Sequence, residues 1–271
     1  MFPFDKFESL HTPFYYYDIA LLRNTLNAVV AESGKYPNYH VHYAIKANHD
    51  PRLLSLIASY GLGADCVSGG EIIDAIQAGI PCHKIVYAGV GKSDSEITLA
   101  LKHEIGCFNV ESLAELRVIN ELAEKMNCQA KVAFRVNPDV DAHTHEKITT
   151  GLSENKFGIS LPHLSQAIVE AHQLKAIELV GLHFHIGSQI EQMHVFKTLC
   201  ERINSIVSEI VDKGVTLKSI NVGGGLGIDY QSPEQNPIAH FKEYFQVFAQ
   251  HLHLRPNQSL HFELGRSVVA Q

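Results

Sequence analysis

A lysine and a glutamate each close an apolar segment of this 271-residue chain, where they could take part in chemistry. Lys46 ends residues 41–46, and Glu263 ends residues 259–263. A lysine amine that is shielded from water loses part of its charge and can attack an aldehyde, but a lysine at a strand end often only extends into solvent. Glu263 could likewise pair with Lys46 or Arg266, or it could hold the nitrogen of a pyridine ring protonated.

A run of three glycines, Gly223, Gly224 and Gly225, follows the apolar residues 218–222. Glycines leave backbone N–H groups uncovered, and such a turn ahead of a helix can bind phosphate, although a glycine run is more often only a tight turn. Arg266 would add the positive charge that a phosphate needs. The two features together favour a phosphate site.

Paired histidines with one residue between them occur twice, as His183 with His185 and as His143 with His145. Alternate residues of a strand share a face, so such a pair could contribute two metal ligands. No acidic third ligand is evident for either pair, and we predict no metal site. A histidine on a buried strand is by default a core residue, and this reading applies to His185.

These residues must be positioned by a sequence that alternates short β-branched segments with longer amphipathic ones. The predicted strands are residues 41–46, 62–67, 84–88, 106–110, 131–136, 178–185, 218–222 and 259–263. The predicted helices between them are residues 51–60, 70–78, 94–102, 112–126, 162–174, 195–213 and 237–251. Two of the helices have start signals, because Ser93 precedes Glu96 by three residues and Ser112 precedes Glu115 by three.

Strands that alternate with helices indicate parallel pairing through right-handed crossovers. Eight strands in this order predict an α/β fold, a (β/α)8 TIM-like barrel over residues 35–271, with its eighth helix cut short by the chain end. Residues 14–18 and 19–34 are predicted to form an extra strand and a helix that lead into the barrel. Active sites of such barrels lie at the C-terminal ends of the strands, and phosphate often binds after strands seven and eight, where the glycine run and Arg266 stand.

Composition excludes several classes of protein. The net charge is −7, and no Lys/Arg cluster occurs, so we expect no nucleic-acid partner. No apolar run reaches the roughly 18 residues of a membrane helix, and the N-terminus does not resemble a secretory signal. The five cysteines are scattered without a CxxC pair, which predicts buried thiols in a reducing cytoplasm and neither disulfides nor zinc ligands.

Five motifs, taken in order, resemble the fold-type III pyridoxal-phosphate decarboxylases, the family that includes the ornithine, arginine and diaminopimelate enzymes. They are YAIKAN at 43–48, GADCVSGGE at 63–71, HFHIGSQI at 183–190, GGGLGI at 223–228 and ELGR at 263–266. The stretch at 141–158, with DAHTH, ITTG and KFG, resembles the diaminopimelate branch. The match covers nearly the whole chain, and the set of motifs is far more specific than any one of them.

The resemblance implies a role for each residue at the barrel rim. Lys46 would hold pyridoxal 5′-phosphate covalently, Asp65 would position that lysine, His185 would stack on the ring, and Glu263 would bind the ring nitrogen. Arg135 would organise the site from beneath. The phosphate ligands would be Ser188, Gly223, Gly224, Gly225, Gly265 and Arg266, and Arg266 would also meet the substrate.

The implied reaction is decarboxylation of meso-2,6-diaminopimelate to L-lysine, in a homodimer whose site lies at the subunit interface. The family usually has proline where this chain has Leu264. It also carries a C-terminal β domain, which supplies a cysteine across the dimer interface, a tyrosine near the cofactor and groups that recognise the distal end of the substrate. That domain is absent from these 271 residues, and Cys200, in a predicted helix, does not replace its cysteine. We expect the natural sequence to continue.

Four other hypotheses about the function stay open. The chain could be a carboxynorspermidine or ornithine decarboxylase, or a barrel that binds the cofactor without catalysis. An alanine-racemase-like enzyme would need a tyrosine from the missing domain. A barrel that forms a Schiff base with its substrate and uses no cofactor would leave the glycine run and Glu263 unexplained.

Overall fold

Eight parallel strands close into a barrel in the computed structural model, which describes residues 4–140 and 157–270. Each strand pairs with the next along the chain, and the first pairs with the last. The predicted (β/α)8 barrel is confirmed, and each predicted strand has a counterpart. The strands are β1 (Tyr39–Ala44), β2 (Gly63–Cys66), β3 (Ile85–Tyr87), β4 (Cys107–Val110), β5 (Ala130–Arg135), β6 (Ile177–His183), β7 (Ser219–Asn221) and β8 (Ser259–Leu264).

A helix follows every strand in the described part of the chain, and two more precede the barrel. The helices are α1 (Phe4–Phe7), α2 (Ile19–Ser33), α3 (Pro51–Ser59), α4 (Gly69–Gln77), α5 (Asp94–Lys102), α6 (Leu113–Lys125), α7 (Leu161–Gln173), α8 (Met193–Asp212), α9 (Phe241–His251) and α10 (Arg266–Val269). The single turn α10 corresponds to the start of the eighth helix that the sequence predicted.

Both predicted helix start signals lie at helix N-termini. At α5 the Ser93 hydroxyl accepts the N–H of Glu96, and the Glu96 carboxylate accepts the N–H of Ser93 at 3.0 Å, which completes a capping box. At α6 the Ser112 hydroxyl accepts the N–H of Glu115 at 3.1 Å. The Glu115 carboxylate does not return to Ser112 but accepts the N–H of Glu111 at 2.9 Å, so it fixes the loop beside the barrel mouth.

The strand β8 separates an aromatic layer from a polar barrel interior. Leu260, Phe262 and Leu264 are buried, and the Phe262 ring lies 5.0 Å from that of Phe245 and 5.2 Å from that of Phe248, both on α9. Successive residues of a strand point to opposite faces. The intervening residues of β8 therefore point into the barrel.

Two histidines inside the barrel join β1 to β8 below the mouth. His42 Nδ1–H donates to the Lys84 carbonyl oxygen at 3.1 Å, so its Nε2 is the acceptor for His261 Nδ1–H at 2.9 Å. His261 Nε2 in turn accepts the Ser259 hydroxyl at 2.8 Å. Each imidazole is thus fixed as a neutral tautomer, and a further proton on His42 would place two donors against each other.

The predicted strand at residues 14–18 is wrong. These residues form no strand, and two of their rings pack on the short helix α1 instead: Phe7 lies 5.3 Å from Phe14 and 5.1 Å from Tyr16 between ring centroids. A closed barrel has no unpaired edge to which another strand could add. The predicted helix at 19–34 is confirmed as α2.

None of the helices in residues 4–140 and 157–270 combines the length and the apolar character needed to cross a bilayer. All five cysteines lie in these ranges and are free, as predicted. Cys66 and Cys200 are buried, but the prediction of burial is wrong for Cys82, Cys107 and Cys128, which are partly exposed.

We expect the stability of the barrel to fall in mild acid because of the His42–His261 pair. Burial lowers the pKa of His42 to about 4, whereas in the unfolded chain the group protonates near its ordinary 6.5. The contribution of neutral His42 to the free energy of unfolding is therefore complete above pH 6.5 and is lost as the pH falls towards 4. For such a shift of the pKa, the loss is about 3 kcal/mol. Urea unfolding at several pH values measures it.

The matched variants are His42→Gln and His172→Gln, since His172 is exposed on α7. H42Q should flatten the dependence of the free energy of unfolding on pH between 6.5 and 4.5, and H172Q should leave it unchanged. An equally steep dependence in H42Q would contradict the assignment.

Candidate active site

A cavity of about 560 Å³ opens at the C-terminal ends of the strands. The polar side chains on its wall come from six strands or the turns that follow them, so the closure of the barrel brings them together. The lining residues with polar side chains are Lys46, Asn48, Asp65, Glu111, Arg135, His183, His185, Ser188, Glu263, Arg266 and Ser267.

Lys46 lies at the mouth of this cavity and is exposed, so the shielding from water that the sequence left open for its amine is not found in this chain. The strand β1 ends at Ala44, and the turn Ile45–Ala47 is a 3-10 helix that carries Lys46 beyond the sheet. The amine nevertheless borders the same cavity as Gly225 of the glycine turn.

Asp65, on β2 in register with Ala44, is buried, and its Oδ1 has no hydrogen-bond partner among the described residues. Burial raises the pKa of Asp65 well above its usual value, the negative charge of Glu263 raises it further, and the charges of Lys46 and Arg135 oppose the rise. A buried carboxyl with an unused oxygen is suited to a cationic or N–H group that enters the cavity from the lysine side.

Glu263 is held at the cavity wall by side chains from three other strands. Its Oε1 accepts the amide N–H groups of Asn109 at 3.0 Å and Asn221 at 2.7 Å, and its Oε2 accepts His183 Nε2–H at 3.0 Å. Burial by itself would raise the pKa of Glu263, but the proximity and hydrogen bond of His183, with the field of His185 and the Asn221 bond, bring it below its usual value. Glu263 is therefore the ionised member of the buried pair that it forms with Asp65.

The acceptor count of Glu263 leaves one position open. A carboxylate offers about two acceptor positions on each oxygen. Both positions on Oε1 are filled by the two asparagines, and one on Oε2 is filled by His183. The remaining position lies on a carboxylate that borders the cavity, where it can accept one N–H donor from a ligand. Neither Lys46 nor Arg266 is the partner of Glu263, although the sequence allowed both.

The glycine turn after β7 is packed so tightly that larger residues do not fit. A Cβ at Gly224 would lie 2.0 Å from the Glu263 carbonyl oxygen, and one at Gly225 would lie 2.9 Å from that of Gly187. Gly223 N–H donates to Asn221 Oδ1 at 2.9 Å, and Gly224 N–H points to His185 Nδ1 at 3.4 Å.

The three glycine amides are therefore not equivalent, although the sequence placed all of them on the phosphate. Gly225, with a φ of 108°, borders the cavity, and its N–H has no acceptor in the described part of the chain. It is the amide of this turn that remains available to an anion.

Arg266 stands beside this turn and has only neutral partners. Its Nε donates to the Ser188 hydroxyl at 3.2 Å and its Nη1 to the Tyr230 hydroxyl at 2.6 Å. It forms no ion pair with an acidic residue in residues 4–140 and 157–270. Gly265, which precedes it, also borders the cavity, and a Cβ there would lie 3.1 Å from those of Ala44 and Ala47.

Arg135 ends β5 and is tied to the wall by an ion pair with Glu111. Its Nη1 lies 2.8 Å from Glu111 Oε1, and its guanidinium lies 5.5 Å from the centre of the Phe157 ring. Glu111 is buried, so the pair is shielded from water. This position, at the cavity wall and among the strand ends, is consistent with the organising role expected of Arg135.

His183 and His185 diverge at the end of β6. His183 is the last residue of the strand and is buried, whereas His185 follows the strand and is partly exposed, so the predicted strand at 178–185 is two residues too long. Glu263 is an acidic neighbour of His183 that the sequence did not reveal. No group of three potential metal ligands occurs in the described residues.

Sequence reasoning missed several residues of the site, including Asn48 and Ser267 on the cavity wall. Asn109, Asn221 and Glu111 occupy inward positions of β4 and β7 or the turn after β4, and the alternation that marks Glu263 could have found them. Tyr230 had no signal, since it depends on a loop that Asp229 closes by accepting the N–H groups of residues 231 and 232. Of the diaminopimelate-like stretch at 141–158, only Phe157 and Gly158 lie in the described residues.

A barrel whose mouth carries a lysine, an ionised carboxylate and an arginine beside a glycine turn belongs to the class of (β/α)8 enzymes that hold a phosphorylated cofactor. Comparison with known proteins defines the family. The protein-family model described as pyridoxal-dependent decarboxylase, pyridoxal binding domain, matches residues 23–270. The chain belongs to this family, and pyridoxal phosphate is its cofactor, as the motifs predicted.

Similar proteins agree with this assignment. The chain is 56% identical to the diaminopimelate decarboxylase of Bacteroides thetaiotaomicron over all of this chain and 70% of that protein. It is 41% identical to that of Aquifex aeolicus over 85% of this chain and 54% of that protein. A crystal structure of the Helicobacter pylori enzyme complexed with L-lysine superposes with a TM-score of 0.89 at 36% identity, over 98% of this chain and 66% of that one. The chain thus spans between 54% and 70% of the length of these relatives.

We expect Gly224→Ala to destabilise the site, because its new methyl group would collide with the backbone of β8 at Glu263. Such overpacking costs about 1–3 kcal/mol in the free energy of unfolding, and it would also displace Glu263. Urea unfolding and titration with pyridoxal 5′-phosphate measure both effects. Gly91→Ala is the control, because a Cβ at Gly91 meets no atom within 4 Å. Equal stability and affinity in the two variants would contradict the packing argument.

Proposed function

We propose that this chain is the cofactor-binding barrel of a diaminopimelate decarboxylase, which converts meso-2,6-diaminopimelate to L-lysine and carbon dioxide. The observation that carries the proposal is the charge pattern of one cavity. Glu263 is a buried anion with one open acceptor, and Arg266 is a cation without an acidic partner in the described residues. A ligand with a cationic ring nitrogen and a phosphate would satisfy both, and pyridoxal 5′-phosphate has this form.

The phosphate end of the cavity fits a dianion. The free N–H of Gly225, the Ser188 hydroxyl and the Arg266 guanidinium supply donors, and Tyr230 adds a hydroxyl beside the arginine. Glycine at 225 and 265 keeps side chains from filling the space between these donors. Charge-assisted bonds from arginine and backbone amides are the strong contacts that phosphate makes in proteins.

The residues of the chain divide the chemistry between them. The bound cofactor supplies an aldehyde for amines and a ring that accepts the electron pair released when a carboxylate leaves. Glu263 stays ionised because His183 and Asn221, with the field of His185, outweigh the effect of burial on its pKa, so it can keep the ring nitrogen protonated. Lys46 provides the amine that holds the cofactor, and Asp65 offers its unpartnered oxygen to the groups around that amine. His185 borders the cavity and would pack against the ring.

The substrate assignment is supported by the named relatives and by the sequence stretch at 141–158. The H. pylori enzyme was crystallised with L-lysine, the product of the proposed reaction. Loss of the carboxylate requires that the bond that breaks be held perpendicular to the ring, and the residues that line the cavity would have to fix the substrate in that orientation.

We further propose a cytoplasmic homodimer with the site at the subunit interface. The exposure of Lys46 at the cavity mouth supports this, because a reacting amine is usually screened from water and a second subunit or a further domain could cover it. Free cysteines support a reducing compartment.

Borohydride reduction in the presence of pyridoxal 5′-phosphate should attach the cofactor to Lys46 and to no other lysine at comparable yield. Peptide mass spectrometry locates the modified residue, and a Lys46→Arg variant should lose the label. Lys92 is the internal control, since it is buried in an ion pair with Glu115. Labelling that persists in K46R at the wild-type level would contradict the assignment of Lys46.

We expect the protein in its complete encoded form to release carbon dioxide from meso-diaminopimelate. The rate should fall at least about a thousandfold in Lys46→Ala, because the covalent route through this lysine is lost. L-ornithine should release little. Release from ornithine alone would favour an ornithine decarboxylase, and cofactor binding without release from any amino acid would favour a non-catalytic barrel.

A further inference from the structure

The oxygen of Glu263 that carries the open acceptor has a single protein partner, His183. The two asparagines donate to Oε1. His183 Nε2 is the one donor to Oε2 in the described residues, at 3.0 Å. His183 is therefore the described residue whose hydrogen bond can orient the remaining acceptor position of Oε2 and stabilise the charge of the carboxylate.

The contacts of His183 define its protonation state. Its ring is buried, Nε2 faces a carboxylate, and Nδ1 has no partner in the described residues. Burial lowers the pKa of His183, against the opposing effect of Glu263. A proton on Nδ1 would create a buried donor without an acceptor, so the imidazole is the neutral Nε2–H tautomer. It stabilises the carboxylate without cancelling its charge.

Packing alone does not require an imidazole here, because an apolar residue of similar size would leave no unpartnered nitrogen inside the barrel. The largest effect on the pKa of Glu263 is burial, which favours the neutral acid. Removal of one of the three donors that the described residues supply therefore shifts Glu263 towards protonation. A protonated Glu263 would donate to a ring nitrogen and could not keep it charged.

We propose that His183 is a positioning residue for the cofactor. Its neutral Nε2–H keeps the Glu263 carboxylate ionised and orients Oε2, so that the carboxylate binds a protonated ring nitrogen in preference to an uncharged ring. The inference rests on the proposed function, since it assigns the open acceptor of Glu263 to the pyridine ring. It concerns binding, so it can be tested without turnover.

The test compares two ligands that differ at one atom and do not bond to Lys46. Pyridoxine 5′-phosphate carries the ring nitrogen, and its 1-deaza analogue carries CH in that place. Calorimetry on the full chain gives the ratio of their dissociation constants between pH 5 and 8.5. A charge-assisted hydrogen bond predicts a preference of about tenfold or more for the nitrogen ligand in the wild type.

Three variants separate the proposed role from a structural one. His183→Leu removes the donor, and the ratio should fall to within about threefold of one at pH 7.5. His183→Gln keeps an N–H donor and should retain part of the preference. The Asn120→Leu control removes another buried polar side chain, which accepts the Ala176 N–H away from the cavity, and should leave the ratio unchanged.

The pH profile adds a second readout. The preference depends on ionised Glu263, so it is present above the pKa of that group and lost as the pH falls through it. In H183Q the loss should begin at higher pH than in the wild type. A wild-type ratio and a wild-type profile in H183L would overturn the proposal, whereas failure of the wild type to bind either ligand would instead overturn the proposed function.

A measurement on the unmutated protein covers the case in which H183L does not fold. Nitrogen-15 spectra of the histidine rings, assigned with H183Q, should show protonated Nε2 and unprotonated Nδ1 for His183 at neutral pH. An imidazolium, or the Nδ1–H tautomer, would refute the proposal.

Discussion

The site depends on one costly arrangement, an ionised carboxylate buried inside a closed barrel. Glu263 can remain charged there because donors from β4, β6 and β7 surround it, and no lysine or arginine of the described residues pairs with it. An isolated buried charge is unfavourable, and hydrogen bonds recover only part of the cost. The rest of this unfavourable free energy can be offset by a ligand that brings a positive charge to the open acceptor.

The barrel makes this arrangement possible by separating two environments across each strand. On β8 the outward residues pack into an aromatic layer with α9, while the inward residues face a polar interior in which the His42–His261 pair lies below Glu263. Because the sheet is closed, donors that are far apart in sequence converge on one oxygen. The same closure leaves no edge for residues 14–18, which pack on α1 instead.

The charges of the mouth are placed on short connections that follow the strands. Arg266 comes three residues after Glu263, so the anion and the cation of the site are fixed by one strand and its turn. The glycine turn after β7 presses against the backbone of β8 at Glu263 and positions the free amide of Gly225 near that cation. Lys46, on a 3-10 turn outside the sheet, is the exposed member of the group.

Periodicity, glycine placement and ordered motifs determined the barrel, the positions of its strands and the residues of the family signature, because these features are encoded locally along the chain. Local sequence could not show that Gly223 and Gly224 use their amides within the protein, or that Lys46 lies in solvent. Nor could it show that Asn109, Asn221 and His183 converge on Glu263. Those facts depend on distances between strands, and only the closed tertiary structure sets such distances.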